Sequence, residues 1–258
     1  MTSLTQIIED FNPSSAFDTP ANWLQGRTIY GGLSAALALH AALRDAPPGL
    51  PPLKSAQIMF VGPASNALSF KTTVLRQGKS ATCISVDCMA GAEVALRVMF
   101  IFAAPRPSKI QHDFHPFPAV SGPENYQSLG VVSQAPASLS NFELRFAGKS
   151  LPVTGSDHPE LMAWVRHVDA VGVDPTVALL ALGDSLPLAV MASFTEFAPI
   201  SSMTWTLDMA QPLSAGEWFL LRSASQRAGE GYSFQTMEIW NEQGKLVLSG
   251  SQTVAFFV

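Results

Sequence analysis

The sequence predicts an α+β protein built from two tandem copies of one unit, a long helix wrapped by an antiparallel sheet. Three observations carry this expectation. First, residues 55–103 and 202–254 pass through the same events in the same order. A strand ends in Gly62-Pro63 or Gln211-Pro212, and a second runs into Arg76-Gln77-Gly78 or Arg227-Ala228-Gly229. A third strand, a glycine-containing turn and a long apolar fourth strand follow. Pro212 lies 149 residues after Pro63 and Arg227 lies 151 after Arg76, so two residues of slippage align the copies. A period that long marks a duplicated domain, not a solenoid. Second, each strand set is preceded by an apolar segment of helical length. Third, the turns between most strands are short, which makes neighbours antiparallel.

Residues 31–46 (GGLSAALALHAALRDA) are apolar almost all round. No face of such a helix suits water, and at this length it is too short for a membrane, so the protein must enclose it. The β-rich runs 55–61, 68–76, 81–90 and 93–103 follow, with turns at Ser65-Asn66, Gly78 and Gly91. Residues 104–159 are rich in Pro and Ser and lack periodicity, which predicts a crossover linker lying on the surface. Residues 160–168 open the second copy as an edge strand or a short helix. Asp174-Pro175 then starts a helix, with Asp as the cap and Pro at the first helical position. That helix runs through TVALLALGDSL to Pro187, and strands are expected at 202–209, 217–225, 231–241 and 245–257. The resulting division is 1–105 for the first repeat, 106–159 for the linker and 160–258 for the second repeat.

Composition narrows the function. Of 258 residues, 47% are apolar and 14% charged, ample for a large core. The net charge of −5 argues against nucleic acid or an acidic membrane surface as the main partner. No apolar run is long enough to span a bilayer, and MTSLTQIIEDF lacks the basic and apolar regions of a signal peptide. Cys83 and Cys88 lie five apart in one expected strand, on opposite faces, and two unbridged thiols suit a reducing cytoplasm. His40, His112, His115, His158 and His167 show no metal-ligand spacing, and no nucleophile elbow, P-loop or dinucleotide fingerprint is present. No cofactor or metal is expected.

Two polar residues stand out. In the last strand Leu246, Leu248, Gly250, Gln252, Val254 and Phe256 share one face, and Gln252 is its polar member. An unpartnered buried amide costs about 1–3 kcal/mol, so Gln252 is either a structural hydrogen-bonding group or part of a site. Its counterpart in copy one, 152 residues earlier, is Phe100. Asp184 follows Leu179, Leu180 and Leu182 in the second apolar helix and precedes Pro187. It is either a cap at the helix end or a buried carboxylate with chemistry to perform.

The order of these motifs resembles the type II acyl-CoA thioesterases, a family with the hot-dog fold in double form. Ile29-Tyr30-Gly31-Gly32 looks like the family's helix entry, and Leu75-Arg76-Gln77-Gly78-Lys79-Ser80 like its third-strand turn. Ala181-Leu182-Gly183-Asp184, Gln211-Pro212 with Glu217-Trp218, and Ser249-Gly250-Ser251-Gln252 match the second half. The resemblance implies hydrolysis of an acyl-CoA thioester by an activated water. Asp184 and Gln252 would belong to the site, with a hydroxyl where the family usually has Thr. Gapless counting puts Ser202 there. Thr204, two residues on, is expected on the same side, so either can supply the hydroxyl. Tyr30, Gly31 and Gly32 would let the substrate approach the backbone. An acyl-CoA is the implied partner, together with further copies of the chain through open sheet edges. A non-catalytic acyl-binding protein and a hot-dog hydratase are the alternatives. The second requires a His near Asp184 that the GDSLP stretch does not supply.

Overall fold

The structure, a computed structural model, describes residues 1–65, 67–130, 135–210 and 217–258. Asn66 of the first expected turn and the Gln211-Pro212 motif lie outside the described residues.

A short helix α1 (Leu4–Asp10) and a small ribbon of β1 (Leu24–Gln25) and β2 (Thr28–Ile29) precede the long helix α2 (Gly31–Asp45). Residues 32–39, 41 and 42 of α2 are all buried, as its apolar circumference demands. The first strand set is β3 (Leu53–Phe60), β4 (Leu68–Gln77), β5 (Ala81–Ala90) and β6 (Glu93–Ala103). Then come β7 (Phe142–Phe146), β8 (Glu160–His167) and the second helix α3 (Pro175–Gly183). The second set is β9 (Ile200–Met209), β10 (Phe219–Gly229), β11 (Tyr232–Asn241) and β12 (Leu246–Phe256). None of the described helices is long and apolar enough to cross a membrane.

The two strand sets join. They form one antiparallel ten-stranded sheet in the order β4-β5-β6-β3-β9-β12-β11-β10-β8-β7. The seam is β3 against β9, from Ser55 opposite Asp208 to Met59 opposite Thr204, and the Lys54 ammonium meets the Asp208 carboxylate across it at 3.1 Å. The inner edges of the two halves satisfy each other, which leaves β4 of the first half and β7 of the second as the outer strands. Residues 160–168 form neither an edge strand nor a helix, because β7, drawn from the Pro/Ser-rich crossover, pairs outside β8. Pro restricts but does not prohibit a strand at a sheet margin.

Helices α2 and α3 lie side by side on one face of the sheet and pack on each other. They run antiparallel, since Tyr30 at the start of α2 donates its hydroxyl to the Ala181 carbonyl near the end of α3 (2.9 Å). On the opposite face, Trp164, Trp218, Leu220 and Trp240 form a separate apolar cluster, packed on by Val120 and Tyr126 of the crossover. Trp164 fastens that crossover by donating its indole N–H to the Ser121 carbonyl at 2.9 Å. The start of α3 is closed: the Asp174 carboxylate accepts the Thr176 and Val177 N–H groups at 2.8 and 3.1 Å, and Pro175 has no N–H to offer.

Candidate active site

Asp184 is the residue just past the last turn of α3. It is a cap position, yet the carboxyl turns toward the other helix instead of closing its own. Oδ1 accepts the Gln252 Nε2–H at 3.0 Å. Oδ2 faces the start of α2, where a Cβ built on Gly31 would lie 2.6 Å from it. The Gly32 N–H points at the same carboxyl and favours its charged form. Burial is nevertheless the strongest influence, and it lifts the Asp184 pKa to about 6 from an ordinary 3.8.

The start of α2 matches this arrangement. Tyr30 occupies the cap position without a side-chain cap, so the first-turn N–H groups are not closed as those of α3 are. A Cβ on Gly32 would come 2.6 Å from the Ala181 carbonyl oxygen, so the close approach of the two helices requires glycine there. The Tyr30 side chain ties the start of α2 to α3. It is buried, its hydroxyl is committed to Ala181, and its ring packs on Trp23 and Phe142. Burial and the neighbouring Asp184 both push its phenol well above the usual value.

Gln252 sits on β12 opposite Trp205 of β9 and Gln235 of β11, and is 3% exposed. Gln235 is a second buried amide on the neighbouring strand, outside the residues expected at the site. It is equally buried, and it donates Nε2–H to the Gln252 Oε1 at 2.7 Å while its own Oε1 accepts the Ala189 N–H at 3.0 Å. The comparison of copies contains the missed signal. Phe100 lies opposite Ala56 and Ile84 as Gln252 lies opposite Trp205 and Gln235. Trp205 follows Ala56 by 149 residues and Gln235 follows Ile84 by 151, the same offsets that align the motifs. Copy one fills both positions with hydrocarbon, whereas copy two has a pair of amides.

Ser202 and Thr204 do not share a face. The register of β9 against β12 runs Trp205 to Gln252, Thr204 to Thr253, then Ser202 to Val254, so Met203 is an extra residue in a bulge. Each bulge resets the alternation of side chains. Ser202 falls on the side of Val254 and Gln252, and Thr204 on the outer side, between Thr253 and the exposed Met59. The expectation that Thr204 faces the same way as Ser202 is corrected for that reason. No hydrogen bond joins either hydroxyl to Asp184 or Gln252 among the described residues. The backbone of Gly250, in the same motif as Gln252, passes so close to the Thr206 carbonyl that a Cβ would collide with it.

Among the described residues no group of three or more His, Cys, Asp or Glu is placed to hold a metal. His167 is partly buried beside α3, its Nε2 2.8 Å from the Ala178 carbonyl, and desolvation of its ring lowers its pKa to about 4. His40 stands in α2 against the Phe11 ring.

Residues 19–103 match the family model described as an acyl-CoA thioesterase N-terminal domain, and residues 113–256 match that of an acyl-CoA thioesterase C-terminal domain. No curated protein matches the sequence significantly. A conserved protein with the hot-dog fold from Alicyclobacillus acidocaldarius superposes with a TM-score of 0.86 at 20% identity, covering 96% of this chain and 95% of that one. An acyl-CoA thioesterase II from Mycobacterium marinum gives 0.72 at 21% identity, covering 88% and 89%. The dehydratase domain of PpsC from Mycobacterium tuberculosis gives 0.54 at 15% identity, covering 94% and 92%. At such identities these structures establish the hot-dog fold.

Proposed function

The chain belongs to the acyl-CoA thioesterase family and is a thioester hydrolase, and from that premise we propose that Asp184 takes the proton of the attacking water. The observation that carries this reading is the unequal use of its two oxygens. Oδ1 accepts the Gln252 amide N–H, while Oδ2 faces the glycine start of α2, where the Gly32 N–H points at the carboxyl and substrate can come beside the carboxylate.

A thioester is already activated, so a positioned water and a base near pH 6 suffice. Water oxygen bonds to the acyl carbon, the carbonyl oxygen takes up negative charge, and Asp184 gains the proton. Collapse breaks the carbon–sulfur bond, and the proton passes to the departing thiolate, giving free acid and CoA. The uncapped first turn of α2 offers N–H donors to the oxyanion, and Gly31 and Gly32 leave that backbone open to a ligand. Ser202, on the Gln252 side of β9, is the hydroxyl we assign to holding the water. The partners of Asp184 are an amide and a backbone N–H, not an imidazole, which favours hydrolysis over hydration.

Thiol release from short, medium and aromatic acyl-CoAs tests the proposal. The wild type releases CoA, and Asp184→Asn lowers kcat by about 100- to 10,000-fold with the fold retained. Because the base works ionised, kcat/KM falls as pH drops through about 6. No release across the whole panel overturns the reading, and an undiminished Asp184→Asn variant removes the base.

We further read the chain as two hot-dog repeats, 1–105 and 160–258, joined by the crossover at 106–159. The matching trios Ala56/Ile84/Phe100 and Trp205/Gln235/Gln252 support this division. Association of copies through the outer strands β4 and β7, and residence in a reducing cytoplasm, complete the reading. Unpaired strand margins support the first, and the unbridged Cys83 and Cys88 the second.

A further inference from the structure

We propose that Gln235 is a positioning residue: it fixes the direction of the Gln252 amide and thereby aims an N–H, not a carbonyl, at Asp184. The inference rests on the reading of Asp184 as the base and extends it to a residue outside the expected site.

The direction follows from one group whose polarity is not in doubt. A backbone N–H can only donate, so Ala189 obliges Gln235 to present its carbonyl oxygen there (3.0 Å). The Gln235 NH2 then faces the Gln252 Oε1 (2.7 Å), which in turn directs the Gln252 NH2 to Asp184 Oδ1 (3.0 Å). Three donors point one way, toward the carboxyl, and each bond polarises the next. Both amides are buried, at 2% and 3% exposure, so bulk solvent does not reach them and their partners come from the protein. The chain is also closed on itself, because Ala189 lies five residues after Asp184, at the start of the short 3-10 turn Ala189–Ser193. Without Gln235, the Gln252 amide is free to turn over and set its carbonyl against the carboxylate. Copy one has Ile84 at the equivalent place and no such chain.

Two variants test this. Gln235→Glu keeps shape but, when ionised, accepts from Gln252 instead of donating. Gln235→Leu removes the donor and adds no charge; Gln235→Met replaces it if the Leu protein does not fold. The Asp184 ionisation is followed by NMR of 13C-carboxyl aspartate, its resonance assigned by its loss in Asp184→Asn. A midpoint near 6 is expected for the wild type. A midpoint higher by about one pH unit is expected in both the Glu and the apolar variant, with the acid limb of kcat/KM moving equally. A midpoint that stays put, or moves only with Glu and therefore through its charge, overturns the inference. The titration does not depend on turnover. An inactive wild type whose midpoint still moves in both variants sinks the hydrolytic role of Asp184 and leaves the positioning by Gln235 standing.

Discussion

Burial holds the Asp184 carboxyl near 6, against an ordinary aspartate value of 3.8. The sign of the linkage follows. The folded state binds the proton more tightly than the unfolded chain, so the stability this gives is complete below about pH 4 and is lost as pH rises through 6. A rise of that size corresponds to about 3 kcal/mol as an upper bound. Asp184→Asn, which cannot ionise, is therefore expected to melt higher than the wild type at pH 8 and to gain nothing at pH 4. Thermal scans at the two pH values check this, and equal gains at both would contradict it. Residues of this kind differ in how legible they are. Gln252 was visible because it breaks an apolar face with a period of two. Gln235 obeys the same rule one strand away, but recognising it requires pairing two strands, not scanning one. Ser202 and Thr204 defeat simple counting, since alternation assumes an unbroken register and the bulge at Met203 breaks it.

At the scale of elements, the contact between the two helices holds the site together. Gly31 and Gly32 bring α2 to Asp184, and Tyr30 ties it to Ala181. Tyr30→Phe leaves the Ala181 carbonyl without this donor in a buried setting. A loss of about 1 kcal/mol is expected from urea unfolding, and no change would show the bond to be dispensable. Both sheet-packed helices were legible because an apolar run without a polar face has only one place to go, although the second is shorter than expected and stops at Gly183 instead of running on to Pro187. The eight principal strands were legible from β-rich runs between turns, and Ala81–Ala90 and Glu93–Ala103 agree to the residue. Strand β7 was not. Its five residues, FELRF, are too short a run to stand out inside a Pro- and Ser-rich crossover, and only pairing with β8 makes them a strand.

For the whole molecule, duplication alone left open how the copies meet. Two sheets side by side and one sheet through both give the same sequence repeat. The β3–β9 seam decides for one sheet, and the candidate site draws on both halves, with the start of α2 from the first and Asp184, Gln235 and Gln252 from the second. A continuous sheet with its helices packed together is expected to unfold as one unit. Calorimetry should give a single endotherm whose calorimetric and van't Hoff enthalpies agree, and two resolved transitions would count against it.

The starts of the two helices differ: the side chain of Asp174 caps α3, and no side chain at the cap position closes α2. His40 lies nine residues after Gly31 as Asp184 lies nine after Pro175, and His40 feels the charge of Asp174 at the opposite helix start. The mirror position to the Asp184 site therefore exists, but an anion arriving there meets a carboxylate that already holds the donors, and a proline with none to give. Restoring two glutamines in place of Ile84 and Phe100 would not open a second site while Asp174-Pro175 remains. The interior of the first repeat around Ile84 and Phe100 is thereby free to differ in size and shape, while the start of α2 remains bound to its place beside Asp184.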